Sequence, residues 1–165
     1  MAVSNSSMIG VNLGGDSDGA TALFEVGSKA NGTDDTEWVY VQANVALTTG
    51  QLVMLNSTYT AQLANVTGAI EGRELAFSQG VFTAADFGWV AKRGSPLYVL
   101  VSSLSTIGGI LTLSDNSGTI QGNGVSGTMA GIAVITASAT GVAVVMASYV
   151  RYPAMKILTG AGHGT

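Results

Sequence analysis

Glu37-Trp38-Val39-Tyr40-Val41-Gln42-Ala43 decides the fold class, because it crowds aromatic and β-branched residues into one short run, the composition of a pleated, half-buried strand. Asn31-Gly32 just before it is a tight-turn signal. Thr48-Thr49-Gly50 then breaks the chain ahead of Gln51-Leu52-Val53-Met54-Leu55, and Asn56-Ser57 turns it into Thr58-Tyr59-Thr60-Ala61-Gln62-Leu63. Further strands are expected over residues 75–81, 88–92, 97–101, 110–113, 130–136 and 142–148. Helical periodicity is nearly absent; the one candidate helix, Thr83-Ala84-Ala85-Asp86, is too short to matter. Many short strands at regular spacing with Gly-containing turns predict an all-β chain, a single small β-barrel or sandwich-like domain. The expected organisation is an extended N-terminal arm over residues 1–22, which are polar and Gly-rich, a β-barrel domain over 23–150 and a C-terminal tail over 151–165.

An internal echo supports paired hairpins. Val81-Phe82-Thr83-Ala84 followed by Gly88 recurs as Val134-Ile135-Thr136-Ala137 followed by Gly141. Both segments read as strand, turn and strand, with Gly opening the return.

Composition narrows the function. The chain has 165 residues, enough for one domain with a proper core. Only 10% of them are charged, against about 25% in an average globular domain. Few charges keep neighbouring copies apart, so assembly into something larger suits this surface. With a net charge of −4 and six basic residues, a phosphate-tracking surface is not expected, and nucleic-acid binding is set aside. The absence of cysteine removes disulfide scaffolds, thiolate metal sites and Cys nucleophiles. Met1-Ala2-Val3-Ser4-Asn5 has neither a basic nor an apolar signal region, so no secretory signal is expected. No charge occurs between Asp115 and Arg151, and residues 129–150 are long enough to span a bilayer. Ser138-Ala139-Thr140-Gly141 interrupts them as a turn, so a hairpin of two buried strands is the preferred reading.

Several motifs imitate chemistry. Gly122-Asn123-Gly124-Val125-Ser126-Gly127 spells GxGxxG, but a dinucleotide site needs a following helix and a later acid, and no Asp or Glu follows Asp115. Asp86-Phe87-Gly88 spells a kinase metal triplet without any catalytic loop, and reads as a turn feeding Trp89. His163 is the only histidine, so common transition-metal sites and a Ser-His-Asp device are not expected. Asp16 and Asp18, and Asp34, Asp35 and Glu37, are carboxylate clusters that could hold calcium. Asp16-Ser17-Asp18-Gly19 lacks the later ligands of a calcium loop, and solvated loop acids are the default. No catalytic residue, cofactor or metal site is expected. The Asn-x-Ser/Thr sequons at Asn5, Asn31, Asn56 and Asn65 are read as accidents of composition.

From Val26-Gly27-Ser28-Lys29 the order of elements runs through Trp38-Val39-Tyr40-Val41, Leu47-Thr48-Thr49-Gly50-Gln51-Leu52-Val53 and Tyr59-Thr60-Ala61. It continues with Phe87-Gly88-Trp89-Val90, Arg93-Gly94 and the uncharged stretch 130–147. Over roughly residues 25–150 this order resembles the small Gly/Ala-rich head decoration proteins of tailed bacteriophages. The resemblance implies a β-barrel-like structural virion protein on the capsid exterior, made in the host cytoplasm. It further implies homotrimers or other small rings, the major capsid protein as partner, and no catalytic residue. A polar arm can order on a neighbour by strand addition. Candidate apolar contacts are Met8, Ile9 and Val11 in the arm, and Tyr152, Met155, Ile157 and Leu158 in the tail, which alternatively packs back on its own domain. The alternative is a carbohydrate-binding or fibre- or tail-associated β module using Trp38, Tyr59 or Trp89 as an exposed platform. An enzyme is disfavoured by the shortage of His, Lys, Arg and Cys.

Overall fold

A computed structural model describes residue 13 and residues 15–32, 35–65, 73–102, 111–113, 118–122, 128–134 and 144–156. All of its regular elements are strands: β1 (Lys29–Asn31), β2 (Glu37–Ala43), β3 (Leu52–Leu55), β4 (Thr60–Leu63), β5 (Glu74–Ser78), β6 (Phe87–Ser102), β7 (Leu111–Leu113), β8 (Ile120–Gly122), β9 (Thr128–Val134) and β10 (Val144–Lys156). The fold is all-β and sandwich-like, and its ladder closes on itself twice. One circuit runs β2–β4–β3–β5–β6 and back to β2; the other runs β6–β10–β9–β7–β8 and back to β6. Strand β6 belongs to both.

The two circuits have the same topology, and their registers match except where β10 meets β9: Ala91 faces Phe77, whereas Tyr149 faces Ala133 and a register shift follows Val150. Each contains one parallel pair, Ala43 opposite Ala61 in the first and Val101 opposite Ile120 in the second. Leu55 and Val53 face Ala61 and Leu63 as Leu113 and Leu111 face Ile120 and Gly122. Tyr40 faces Trp89 as Tyr98 faces Ala147. The sequence echo falls on the connections β5–β6 and β9–β10, which hold the same place in the two circuits. Val81–Ala84 itself is a loop rather than a strand, with one bridge from Phe82 to Leu47; residues 135–141 lie outside the described residues.

Strand alternation explains the core. Trp38 and Tyr40, Leu52 and Met54, Leu75 and Phe77, and Trp89 and Ala91 point into one buried cluster, which the second circuit shares through Leu97, Val99, Val101, Leu111, Leu113, Ile120 and Val150. The alternate residues Val39, Val41, Val53, Leu55, Ala76 and Val90 fill the other. Both faces of the first circuit are therefore covered, which is why Glu37–Ala43 is nearly continuous in apolar content. Gly50 makes the close approach that joins the circuits. Its φ is +85°, a Cβ on it would stand 2.7 Å from the Leu100 amide nitrogen, and its carbonyl accepts a hydrogen bond from that amide at 2.7 Å.

Three sequence expectations are corrected. Residues 83–86 form a turn, with the Asp86 N–H donating to the Thr83 carbonyl at 3.1 Å and Ala85 at φ 72°; a left-handed alanine cannot continue a helix. The arm does not run free to Ala22: Leu13 is buried, and residues 16–19 are bonded to the sheet. The tail boundary at Arg151 is not a structural break, because β10 continues to Lys156 and pairs Met155 with Met129 and Lys156 with Thr128. Residues 129–150 form the antiparallel pair β9–β10, and no helix among the described residues is long and apolar enough to cross a membrane.

Candidate interaction surface

Residues 15–28 form a strap across the first circuit. Gly80 admits it: a Cβ there would lie 2.0 Å from the Gly15 carbonyl oxygen. The Ser17 N–H donates to the Val81 carbonyl and the Val81 N–H to Asp16 Oδ1, both at 2.9 Å. The Asp18 N–H donates to the Phe87 carbonyl at 2.7 Å, and the Phe87 N–H to the Gly19 carbonyl at 2.9 Å. Ser17 Oγ donates to Asp86 Oδ2 at 2.7 Å, and this bond, followed by one from the Thr83 N–H, holds the Asp86 carboxyl below its usual value. Of the acids read as possible calcium ligands, Asp16 and Asp18 are thus occupied in docking the strap. Among the described residues, no group of three His, Cys, Asp or Glu side chains could hold a metal ion; Asp34 lies outside them.

Tyr40 is the anchor beneath the strap. Its hydroxyl donates to Asp18 Oδ2 at 2.9 Å and accepts from the Leu23 N–H at 3.1 Å. Burial, with the Asp18 carboxylate adding to it, raises the Tyr40 pKa against the opposing Leu23 bond. Phe24 packs edge-on to Tyr40 with ring centroids 5.3 Å apart and lies 5.3 Å from Trp89. Phe24 remains 37% exposed and Leu23 64%, so the strap presents apolar groups outward as well as inward.

Charge is concentrated at the strand junction. Lys92 Nζ on β6 lies 2.6 Å from Glu74 Oε1 on β5 and 3.6 Å from Glu37 Oε1 on β2. Burial works against the ammonium, but the bond and charge of Glu74, then of Glu37, outweigh it and raise the Lys92 pKa. Arg93 beside it pairs with Asp35. This is a clip across three strands.

The concavities are shallow. A cleft of about 480 Å³ is lined by Leu55, Asn56, Ser57, Arg73 and Glu74, and one of about 170 Å³ by Gln42, Ala43, Asn44, Thr60, Ala84 and Ala85. Beyond the strap, the exposed large apolar side chains among the described residues are Val81 at 52%, Tyr98 at 44% and Val145 at 42%.

Met8, Ile9, Val11, Ile157, Leu158 and His163 lie outside the described residues; Tyr152 and Met155 fall on β10, where only their backbone is described. Gly122 ends β8, and the chain after Gly127 forms strand β9 where a dinucleotide site needs a helix. Trp38 and Trp89 are buried, at 0% and 5% exposure, and Tyr59 is half-buried, so the proposed sugar platform is not open at the two tryptophans. Phe24, Tyr98 and Val145 were not singled out as partner contacts; an isolated apolar residue in a polar segment or on an alternating strand carries no periodic signal. No protein-family model matches the chain, and no curated protein matches it.

Proposed function

We propose that this chain is a structural virion protein that decorates the outer surface of a tailed-phage head and stabilises it, with the major capsid protein and further copies of itself, as a homotrimer, for partners. The reading rests on the resemblance of residues 25–150 to head decoration proteins, and one observation carries it further. A chain with only 10% charged residues leaves Leu23, Phe24, Val81, Tyr98 and Val145 exposed, although its ladder closes into two circuits. Closed ladders offer few free edges for indefinite strand addition, so apolar surface of this kind suits defined contacts with neighbours. A closed symmetric oligomer multiplies modest contacts by avidity at each lattice point. Catalysis has no part in the proposal. The test is to add the purified chain to heads that lack it. Saturable binding that raises the temperature at which the heads open supports the reading; no binding, or binding without stabilisation, refutes it.

A further inference from the structure

Charge on the described residues is divided between two regions along β6. At the first, the strap, bonded to Phe87, carries the exposed acids Asp16, Asp18 and Glu25 beside half-buried Asp86. No basic side chain pairs with any of these four among the described residues. Six residues further along β6, roughly 20 Å, stand Lys92 and Arg93. Arg93 pairs with Glu37 of β2 and Ala91 with Trp38, so Lys92 is the extra residue of a bulge. Lys92 is neutralised by Glu74 and Glu37, and Arg93 by Asp35. β10 then sets Arg151 directly opposite Arg93. Like charges directly opposite on paired strands are destabilising, and an anion lodged there removes that cost. Arg151 is exposed, and so is Arg73, next in the chain to Glu74; neither has an acid partner among the described residues. Arg73 also lines the cleft of about 480 Å³ with Asn56. Asn56 Oδ1 is taken by the Thr58 and Thr60 N–H groups at 3.0 and 2.8 Å, which leaves the Asn56 amide nitrogen as a donor beside the guanidinium.

We propose that Arg73 and Arg151 of one copy receive the strap carboxylates of a second copy, so that copies of this chain associate head to tail, acid region on basic region. Charge complementarity selects that occupant. Every copy carries the exposed acids of the strap with no cation of its own beside them, and two exposed guanidinium groups with no acid. A guanidinium fork grips a carboxylate with two parallel hydrogen bonds. A polyphosphate partner is disfavoured, because Asp35, Glu37 and Glu74 stand among these cations and the chain carries a net charge of −4. Contact between like regions of two copies brings like charges together, whereas contact between unlike regions brings opposite ones. Such a heterologous contact repeats from copy to copy and forms a ring where its rotation closes. Exposed ion pairs are individually weak, so the contact gains its strength from repetition around the ring. The inference deepens the self-association within the proposed function and does not depend on the capsid shell.

Sedimentation of the full chain over a range of concentrations reads the association. The parent should self-associate in dilute salt and dissociate about tenfold more readily in 1 M salt, where the screening length has fallen to about 3 Å. Arg73→Glu with Arg151→Glu should weaken association about tenfold at low salt with circular dichroism unchanged, because both side chains are exposed. Glu25→Lys, which touches none of the strap's side-chain hydrogen bonds, should weaken it several-fold by itself. A mixture of the arginine variant with Glu25→Lys copies should associate more tightly than the arginine variant alone, since the reversed charges then meet. A parent that stays monomeric, association indifferent to salt or to reversal of the arginines, or a mixture with no recovery would each overturn the proposal. Head binding is read separately. A monomer that binds and stabilises heads refutes this inference alone, and a chain that associates through these residues but ignores heads refutes the shell reading alone.

Discussion

Gly80→Ala tests the docking of the strap on which the account of the N-terminal region depends. Gly80 is buried and outside the left-handed region, so the cost of a methyl group is steric alone. Its Cβ would lie 2.0 Å from the Gly15 carbonyl oxygen and 2.8 Å from the Asp16 Cα. Restoring an ordinary contact requires the strap to move by more than about 1 Å. That displacement carries the Ser17–Val81 and Val81–Asp16 hydrogen bonds, each 2.9 Å, out of bonding range. At roughly 1 kcal/mol net for each, the loss is about 2 kcal/mol, and undocking of the strap caps it near that value. For a chain of this size that lowers Tm by about 4–8 °C. Thermal unfolding followed by circular dichroism reads the shift, and amide exchange locates it. Ser17 and Asp18 should lose protection while β3 and β5 keep theirs. An unchanged Tm with full protection at Ser17 and Asp18 would mean that the strap does not sit against Gly80.

Lys92→Met leaves Glu37 and Glu74 facing each other, and should cost about 2 kcal/mol in denaturant unfolding, less than the loss of a fully buried pair because Glu74 is partly exposed; a variant as stable as the parent contradicts the clip. In the parent, the raised Lys92 pKa means that its contribution is complete below the ordinary lysine value of 10.5 and is lost as pH rises through the higher folded value, which an alkaline titration of stability checks. Gln79→Leu strips both hydrogen bonds from the Tyr98 backbone and should cost about 3 kcal/mol, with exchange quickening in β6 near Tyr98; unchanged exchange there refutes the clamp. Asp86 is held below its usual value by Ser17, so the bond is intact above pH 3.8 and weakens as pH falls through the lower folded value. Acid-induced exchange at Ser17 should follow that order, and in Asp86→Asn it should lose its acid dependence.

The strands were legible where composition alone suffices. Glu37–Ala43 and Leu52–Leu55 announce themselves because both of their faces are buried and nearly every residue is apolar or aromatic. β1 and β8 have three residues each, too few to show a period. The repeat left a trace in Tyr40-Val41 and Tyr98-Val99, and in Thr60-Ala61-Gln62 and Thr119-Ile120-Gln121, but only pairing registers show that these positions correspond. In sequence the strap reads as a loose arm, because Asp16, Ser17, Asp18 and Gly19 are small or polar residues of the kind that stand in solvent. Its docking depends on backbone donors and on space above Gly80, and neither is written in side-chain hydropathy. The candidate surface is least legible: Tyr98 differs from Tyr40 not in its own character but in having no counterpart of Phe24 above it among the described residues.

Electron microscopy of phage heads with and without this chain bears most directly on its role. If the chain has the proposed decoration role, heads that carry it show external knobs at regular lattice points, and heads that lack it do not. Density inside the head, or only at the tail, would contradict it.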